Sequence, residues 1–392
     1  MPQVKPMEGN QAVAEAMRQI NPDVVAAYPI TPSTEVVQTF AQFVADGEVD
    51  TNFVAVESEH SAMSACTAAA AAGGRVMNAT SSAGLALMWE ILYITASLRM
   101  PVILTVVNRA LSGNINIHCD HSDTMGARDA GWIQIYAEDV QESYDNLIQA
   151  VAIGEQMDVR LPVMSCLDGF LVSHSYELLQ VEDDEAVKDF VGPYEPRYPL
   201  LDVDSPITMG PLDLYDFYFE HKRDQWAAYE PAKQAIIEVG KRFGETFGRS
   251  YGLFEEYHLD DAEFAIVAMS SMAGTAKDAV EALRDEGVKA GLLKLRVFRP
   301  FPADELVAAL SGLEAVAICD RAASYGGAGG PLYAEITSAL YAGGASVPAV
   351  NYIYGLGGRQ IAPEEIISIY RDLERVAEEG QPDQPLQFIG VR

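Results

Sequence analysis

Val24-Val25-Ala26-Ala27-Tyr28-Pro29-Ile30-Thr31-Pro32-Ser33-Thr34 holds a strand, a turn and the start of a helix in one short run. The first four residues are uniformly apolar, the composition of a short strand buried on both faces. Pro29 and Pro32 then stop sheet and helix alike. Ser33 and Thr34 can cap a helix whose apolar positions Val37, Phe40 and Val44 share one face. On the N-terminal side, Asn10 can cap a helix with Val13, Met17 and Ile20 at helical spacing. On the C-terminal side the unit repeats, with strands predicted over 53–57, 75–80, 102–107 and 162–166, and helices over 61–72 and 85–98. Strands alternating with helices of this length predict a doubly wound α/β domain, a parallel sheet covered on both faces.

The alternation fades over 181–249, where prolines, acids and aromatic residues accumulate. A long helix is predicted over 230–247, and the rest reads as an extended connection lying on a neighbouring surface. Structureless connections of this length are uncommon inside a compact domain, so this one is expected to separate two. A second α/β unit follows. Its predicted strands span 264–269, 290–297, 315–319 and 349–354, and its helices 275–286, 305–310, 332–341 and 364–377. The expected division is a first domain over 1–250, including the connection over about 181–250, and a second over 251–392.

With 392 residues, two domains are the natural expectation. The 57 acidic and 26 basic residues leave a formal charge of −31. Such a surface repels phosphate backbones and anionic lipid heads, which argues against nucleic acid and membrane partners. The longest apolar stretch, 84–98, carries Glu90 and is too short to cross a bilayer. The first nine residues lack the apolar segment of a secretion signal, so a cytoplasmic chain is expected. Cys66, Cys119, Cys166 and Cys319 are scattered, without the clustered spacing that iron–sulfur clusters and structural zinc use. They are expected to be buried thiols.

In open α/β sheets ligands bind beyond the carboxyl ends of the strands. Three loops fall there: Tyr28 to Ser33, Glu57-Ser58-Glu59-His60, and the run from Asn108-Arg109 to Asp123. Together they offer hydroxyls, carboxylates, a guanidinium and imidazoles. Taken singly, Glu59 also fits an ordinary helix start favoured by the macrodipole. Arg109 also fits a surface ion pair, and Thr31 a turn hydroxyl serving local backbone.

The combination of motifs is more specific. Tyr28-Pro29-Ile30-Thr31-Pro32-Ser33, Glu57-Ser58-Glu59-His60, Asn108-Arg109-Ala110-Leu111-Ser112, Asp120-His121-Ser122-Asp123 and Gly131-Trp132-Ile133-Gln134 follow one another at suitable distances. This series resembles the α subunit of the 2-oxoacid:ferredoxin oxidoreductases, with most likeness to the pyruvate branch. Arg296-Val297-Phe298-Arg299-Pro300-Phe301-Pro302 and Tyr354-Gly355-Leu356-Gly357-Gly358-Arg359 resemble turns of the same family's transketolase C-terminal-like domain. The resemblance covers nearly the whole chain. It implies a thiamine-diphosphate-binding-like domain followed by that second domain.

The resemblance also implies a chemistry. The family uses thiamine diphosphate, whose thiazolium carbon must lose a proton before it attacks the ketone of a 2-oxoacid. By the resemblance, Glu59 is the carboxylate that bonds the aminopyrimidine ring and promotes that loss. Arg109 and Thr31 hold the substrate carboxylate, and Tyr28 and Pro29 pack on the cofactor ring. The implied reaction is coenzyme A-dependent oxidative decarboxylation of pyruvate to acetyl-CoA and carbon dioxide, with ferredoxin reduced; the same machinery can run in reverse. Branched-chain 2-oxoacids and 2-oxoglutarate stay open as substrates, because the proposed contacts read the carboxylate common to all of them. A non-catalytic assembly subunit that kept the fold also stays open.

The chain lacks the GDG-type segment that normally holds the divalent metal on the diphosphate. It lacks cluster ligands as well. The resemblance therefore implies a shared cofactor site. A β subunit carries the diphosphate and Mg2+, γ and ferredoxin-like δ subunits complete the complex, and 4Fe-4S clusters lie on partner chains. External ferredoxin, usually acidic, is expected to dock elsewhere than on this acidic chain. No metal ligand is assigned here. His118-Cys119-Asp120-His121-Ser122-Asp123 is rich in ligand types, but consecutive residues rarely converge on one ion. A loop closing over substrate is the better reading. Ser324 to Gly330 lacks the complete phosphate-binding pattern, and tight strand–helix packing or a subunit contact is expected there.

Overall fold

The computed structural model describes residues 2–392. The larger of two main sheets has seven strands, in the spatial order Val297–Arg299, Ile133–Tyr136, Val163–Asp168, Ile103–Asn108, Val76–Thr80, Val24–Ala27 and Asn52–Ala55. All neighbours are parallel except the first pair. From Val24–Ala27 the chain steps outward to Asn52–Ala55, then crosses back to Val76–Thr80 on the other side. That reversal is a topological switch point, where loops part and a crevice forms.

The second sheet has six strands, ordered Leu386–Phe388, Ala349–Ile353, Ala315–Asp320, Phe264–Met269, Ala290–Leu295 and Phe254–Tyr257, again parallel apart from the last. One apolar cluster, including Met63, Leu92 and Trp132, runs from the first sheet's side to Leu293 and Ile318 of the second and to Leu340 on the helix Pro331–Ala342 packed against it. The two sheets therefore share a core. The carboxyl ends of the two also meet. Asp168, ending its strand, accepts hydrogen bonds from the backbone N–H of Ser271 at 3.2 Å and from Arg321, both just beyond strands of the second sheet.

Several sequence expectations need correction. Asn10 does not cap the first helix, Gly9–Ile20; it is buried inside it, and its Nδ2 donates to the Pro32 carbonyl at 2.7 Å. Ser33 stands at the N-cap of Thr34–Asp46, but its hydroxyl bonds the Ile30 carbonyl instead of the helix. The single helix expected over 85–98 is two, Ser82–Leu87 and Trp89–Ser97, meeting at Met88. The strand expected over 290–297 stops at Leu295. Val297–Arg299 then crosses to the first sheet and pairs with Ile133–Tyr136. The stretch over 181–249 holds Asp184–Val191 and Tyr218–Ala227 besides the long helix Tyr229–Phe247. The four cysteines are free and buried. No helix of the described residues is long and apolar enough to cross a membrane.

Candidate active site

Glu59 opens the helix Glu59–Ala72, whose N-cap Ser58 accepts from the Ser61 N–H at 3.2 Å. The helix start therefore presents Glu59 at the carboxyl edge of the first sheet, with 6% of its surface exposed. Gly84, in the first turn of the helix Ser82–Leu87 that follows Val76–Thr80, faces it. A Cβ at Gly84 would lie 2.8 Å from Glu59 Oε1 and 2.5 Å from Thr80 Oγ1. Only a glycine leaves that space. The Thr80 hydroxyl is buried there without a hydrogen-bond partner, and so, next along the chain, is that of Ser81. We expect Gly84→Ala to displace the Glu59 carboxylate and lower turnover of the assembled enzyme about a hundredfold, the cost of a misplacement near 1 Å. Undiminished turnover would show that Glu59 does not act from this place.

Arg109 follows Ile103–Asn108, two strands from Val24–Ala27. Its guanidinium nonetheless reaches the Tyr28–Ser33 turn, where Nη1 donates to the Thr31 carbonyl at 2.9 Å. Nε donates to the Asn116 carbonyl at 3.0 Å. A guanidinium carries five N–H donors in a planar fork. Its other donors have no protein partner among the described residues, which leaves an edge for a carboxylate. Thr31 is exposed beside it, as are Tyr28 and Pro29. The structure thus brings Thr31 and Arg109 into direct contact and sets Glu59 at the same edge, across the switch point.

Asp123 ties these pieces together, and the sequence reading did not single it out as such. Its Oδ2 accepts from the backbone N–H of Arg109 and of Ser82, each at 3.0 Å, and Oδ1 accepts from Asn108 Nδ2 at 2.8 Å. The Ser82 hydroxyl adds a bond to the Ala110 carbonyl at 2.6 Å. One carboxylate therefore fixes both the root of Arg109 and the start of the helix that carries Gly84. Burial pushes its carboxyl up to about 6, while the donors from Arg109, Asn108, Ser82 and Thr124 pull it down. Ser81-Ser82-Ala83-Gly84 follows a strand end, and that position is the signal by which it could have been found.

The loop over 109–123 is clasped by the second sheet. Asn116 Nδ2 donates to the Gly357 carbonyl at 3.0 Å, and the Gly357 N–H donates to Asp120 Oδ2 at 3.2 Å. Gly357 and Gly358 have φ of 63° and 81°. A Cβ at Gly358 would stand 2.4 Å from the His118 Cβ, so the approach needs glycine for space as well as for conformation. Deeper in, His121 Nε2 bonds Asp168 Oδ1 at 2.7 Å. Cys119, His121 and Asp168 lie close enough together to suggest ion ligands. Only Asp168 comes from outside the loop. However, Arg321 Nη1 at 2.5 Å and the Ser271 hydroxyl already occupy the same carboxylate, and a guanidinium stands where a cation would. The glycine-rich run behaves as expected. Asp320 accepts from the N–H groups of Leu332 and Tyr333 at 2.8 and 3.1 Å, filling the helix N-terminus that a phosphate would need.

Residues 15–241 match the family model described as pyruvate flavodoxin/ferredoxin oxidoreductase, thiamine diP-bdg, and residues 262–366 that for pyruvate:ferredoxin oxidoreductase core domain II. The chain belongs to the pyruvate:ferredoxin oxidoreductase family. Within the family it is similar to pyruvate synthase subunit PorA of Thermotoga maritima, 57% identical over 93% of each chain. It is 46% identical to the subunit of the same name from Methanocaldococcus jannaschii over 97% of each. It is also 42% identical to ketoisovalerate oxidoreductase subunit VorA of Pyrococcus abyssi, over 99% of this chain and 98% of that one. Among solved structures, 2-oxoglutarate:ferredoxin oxidoreductase from Magnetococcus marinus superposes with a TM-score of 0.74 at 20% identity. That match covers 94% of this chain and 65% of the longer one. A split-gene transketolase matches at a TM-score of 0.53 and 12% identity, over 95% and 98% of the two chains. These two likenesses speak for the fold, a thiamine-diphosphate-binding-like domain followed by a transketolase C-terminal-like one.

Proposed function

We propose that this chain is the α subunit of a pyruvate:ferredoxin oxidoreductase, supplying the pyrimidine side of a shared thiamine diphosphate site and the clamp for the substrate carboxylate. The observation that carries the reading is the Arg109 guanidinium fixed by the Thr31 and Asn116 carbonyls at the same switch-point crevice as Glu59. The residues fit the pyrimidine half of the cofactor. Glu59 lies in a space kept open by Gly84, the unpartnered Thr80 hydroxyl lines it, and Tyr28 is exposed nearby in sequence to the clamp. When bound, the cofactor supplies a thiazolium carbon that attacks the ketone of a 2-oxoacid. Glu59 holds the proton at the aminopyrimidine ring nitrogen. Arg109 binds the 2-oxoacid carboxylate through paired hydrogen bonds, and Thr31 orients that guanidinium through its carbonyl while offering a hydroxyl to the same group. Asp123 keeps both halves in register.

The diphosphate, its Mg2+ and the 4Fe-4S clusters belong in this reading to β, γ and δ partner subunits, and coenzyme A and ferredoxin are the co-substrates. The cytoplasm is the compartment proposed. The proposed domain division is 1–250 and 251–392. A second reading, activity on branched-chain 2-oxoacids, is favoured by the likeness to the ketoisovalerate subunit and by a clamp that touches only the common carboxylate.

Acyl-CoA formation by the purified complex across a panel of 2-oxoacids tests the reading, with pyruvate expected to give the highest kcat/KM. A higher value for 2-oxoisovalerate would move the chain to the second reading. Arg109→Lys keeps the charge and loses the planar fork. It is expected to raise KM for the 2-oxoacid at least about tenfold, the worth of one charge-assisted hydrogen bond. Thiamine diphosphate affinity should change little. An unchanged KM would make Arg109 structural.

A further inference from the structure

A cavity of about 460 Å3 opens at the opposite end of the first sheet, beyond the starts of Ile103–Asn108 and Val163–Asp168. Three arginines line it: Arg99, Arg160 and Arg197. Arg160 is 6% exposed, and its Nη1 is buried with no hydrogen-bond partner. Its guanidinium lies 5.4 Å from the centre of the Tyr194 ring. Arg99 is pinned by backbone, with Nε donating to the Arg160 carbonyl at 3.0 Å, and meets only the rim carboxylate of Asp224, at 3.7 Å. Arg197 is exposed and stacks 5.3 Å from the Tyr198 ring. The nearby Glu155 carboxylate is already spent on Arg75, through bonds of 2.8 Å to each oxygen. Burial, and after it the neighbouring Arg197 and Arg160, push the Arg99 guanidinium below its usual range, with Asp224 opposing them.

Three guanidinia around one cavity, with a single exposed acid between them, are out of character for a chain of charge −31. The Arg160 guanidinium has the Tyr194 hydroxyl as a neighbour, but a buried charged N–H left without a partner, as at Nη1, is costly, so the pocket is built for something that supplies an anion. Guanidinium forks pair with phosphate oxygens through parallel charge-assisted bonds. The remaining walls come from Met100, Met209 and the ring of Tyr198, which is 60% exposed. Polarisable thioether and aromatic surfaces suit a flat base. We infer that this cavity binds an organic phosphate bearing a flat aromatic base, an anion of the nucleotide type. A six-residue strand, about 20 Å long, lies between the cavity and Arg109, so the ligand bound here is not the reacting substrate. The inference does not depend on the proposed activity.

Calorimetric titration of the full-length chain with ADP, and separately with inorganic phosphate, tests it. One ADP per chain with Kd below about 1 mM is expected, with phosphate at least about tenfold weaker because it leaves the apolar walls unused. Arg160→Gln should abolish binding. Because Arg160 is buried and its loss can unsettle the fold, Arg197→Gln is the decisive variant: it should weaken ADP about tenfold with an unchanged unfolding temperature. No saturable uptake of ADP, equal affinity in Arg197→Gln, or phosphate binding as tightly as ADP would each overturn the inference.

Discussion

Glu59→Gln in the assembled complex is expected to lower kcat by about two to four decades, the range typical of a positioned proton-transfer group. The amide is nearly the size of the carboxylate, so it fits the space that Gly84 leaves at 2.8 Å from Oε1 and does not disturb the helix cap on Ser58. What changes is chemistry: an amide cannot hold a proton at a ring nitrogen as a carboxylate does. Assembly of the complex and KM for the 2-oxoacid should stay close to wild type, because the substrate clamp is built on Arg109 and Thr31. Steady-state kinetics on complexes matched for subunit composition give the result. A variant that loses assembly along with turnover would instead make Glu59 a structural residue.

The second large effect is on stability. Asp168→Ala should lower the unfolding free energy by about 3–5 kcal/mol, since it leaves the Arg321 guanidinium buried without its counter-charge. Arg321 and Asp168 are 4% and 0% exposed, and their bond spans 153 residues across the two sheets. Burial alone would raise the Asp168 carboxyl, but Arg321, His121 and Ser271 together hold it well below the usual carboxylate range. An unfolded aspartate titrates near about 3.9. The depressed native value therefore contributes stability that is fully present above that pH and is lost as pH falls below it. Urea midpoints should show the same deficit in Asp168→Ala from pH 5 to 8, narrowing below about pH 4. A deficit under about 1 kcal/mol, the scale of an exposed ion pair, would mean that the junction is not held in this way.

How much was legible follows from where polar groups are buried. Val24–Ala27 and its proline-bounded turn were readable because an apolar run ends at residues with restricted backbones. Ile133–Tyr136 and Val140–Gly154 were not. Gln134 is fully buried inside its strand, donating to the Thr124 carbonyl at 2.9 Å, so the alternation there mimics a half-exposed strand. The helix buries Glu142, Asp145, Asn146 and Gln149, which blurs its apolar stripe. Each takes a hydrogen bond from far along the chain, Glu142 from Lys294, Asp145 from Arg249, and Asn146 and Gln149 from Arg296. Local periodicity cannot see such partners. The same distinction divides the site. Glu59, Thr31 and Arg109 sit just beyond strands, where ligands gather. The roles of Gly84 and Asp123 depend on which strand ends become neighbours, and that is set by sheet order. Thr31 and Arg109 meet across an intervening strand, which no spacing in the sequence announces.

Proton exchange at the thiazolium C2 of thiamine diphosphate bound to the complex isolates the step assigned to Glu59 from substrate binding, electron transfer and product release. Quenched-flow hydrogen–deuterium exchange, read by NMR, gives that rate for wild type and for Glu59→Gln. The expected result is a fall of about two decades or more in the variant, with the same exchange in Arg109→Lys as in wild type. Exchange in Glu59→Gln at the wild-type rate would contradict the assignment of the pyrimidine-side carboxylate to this chain.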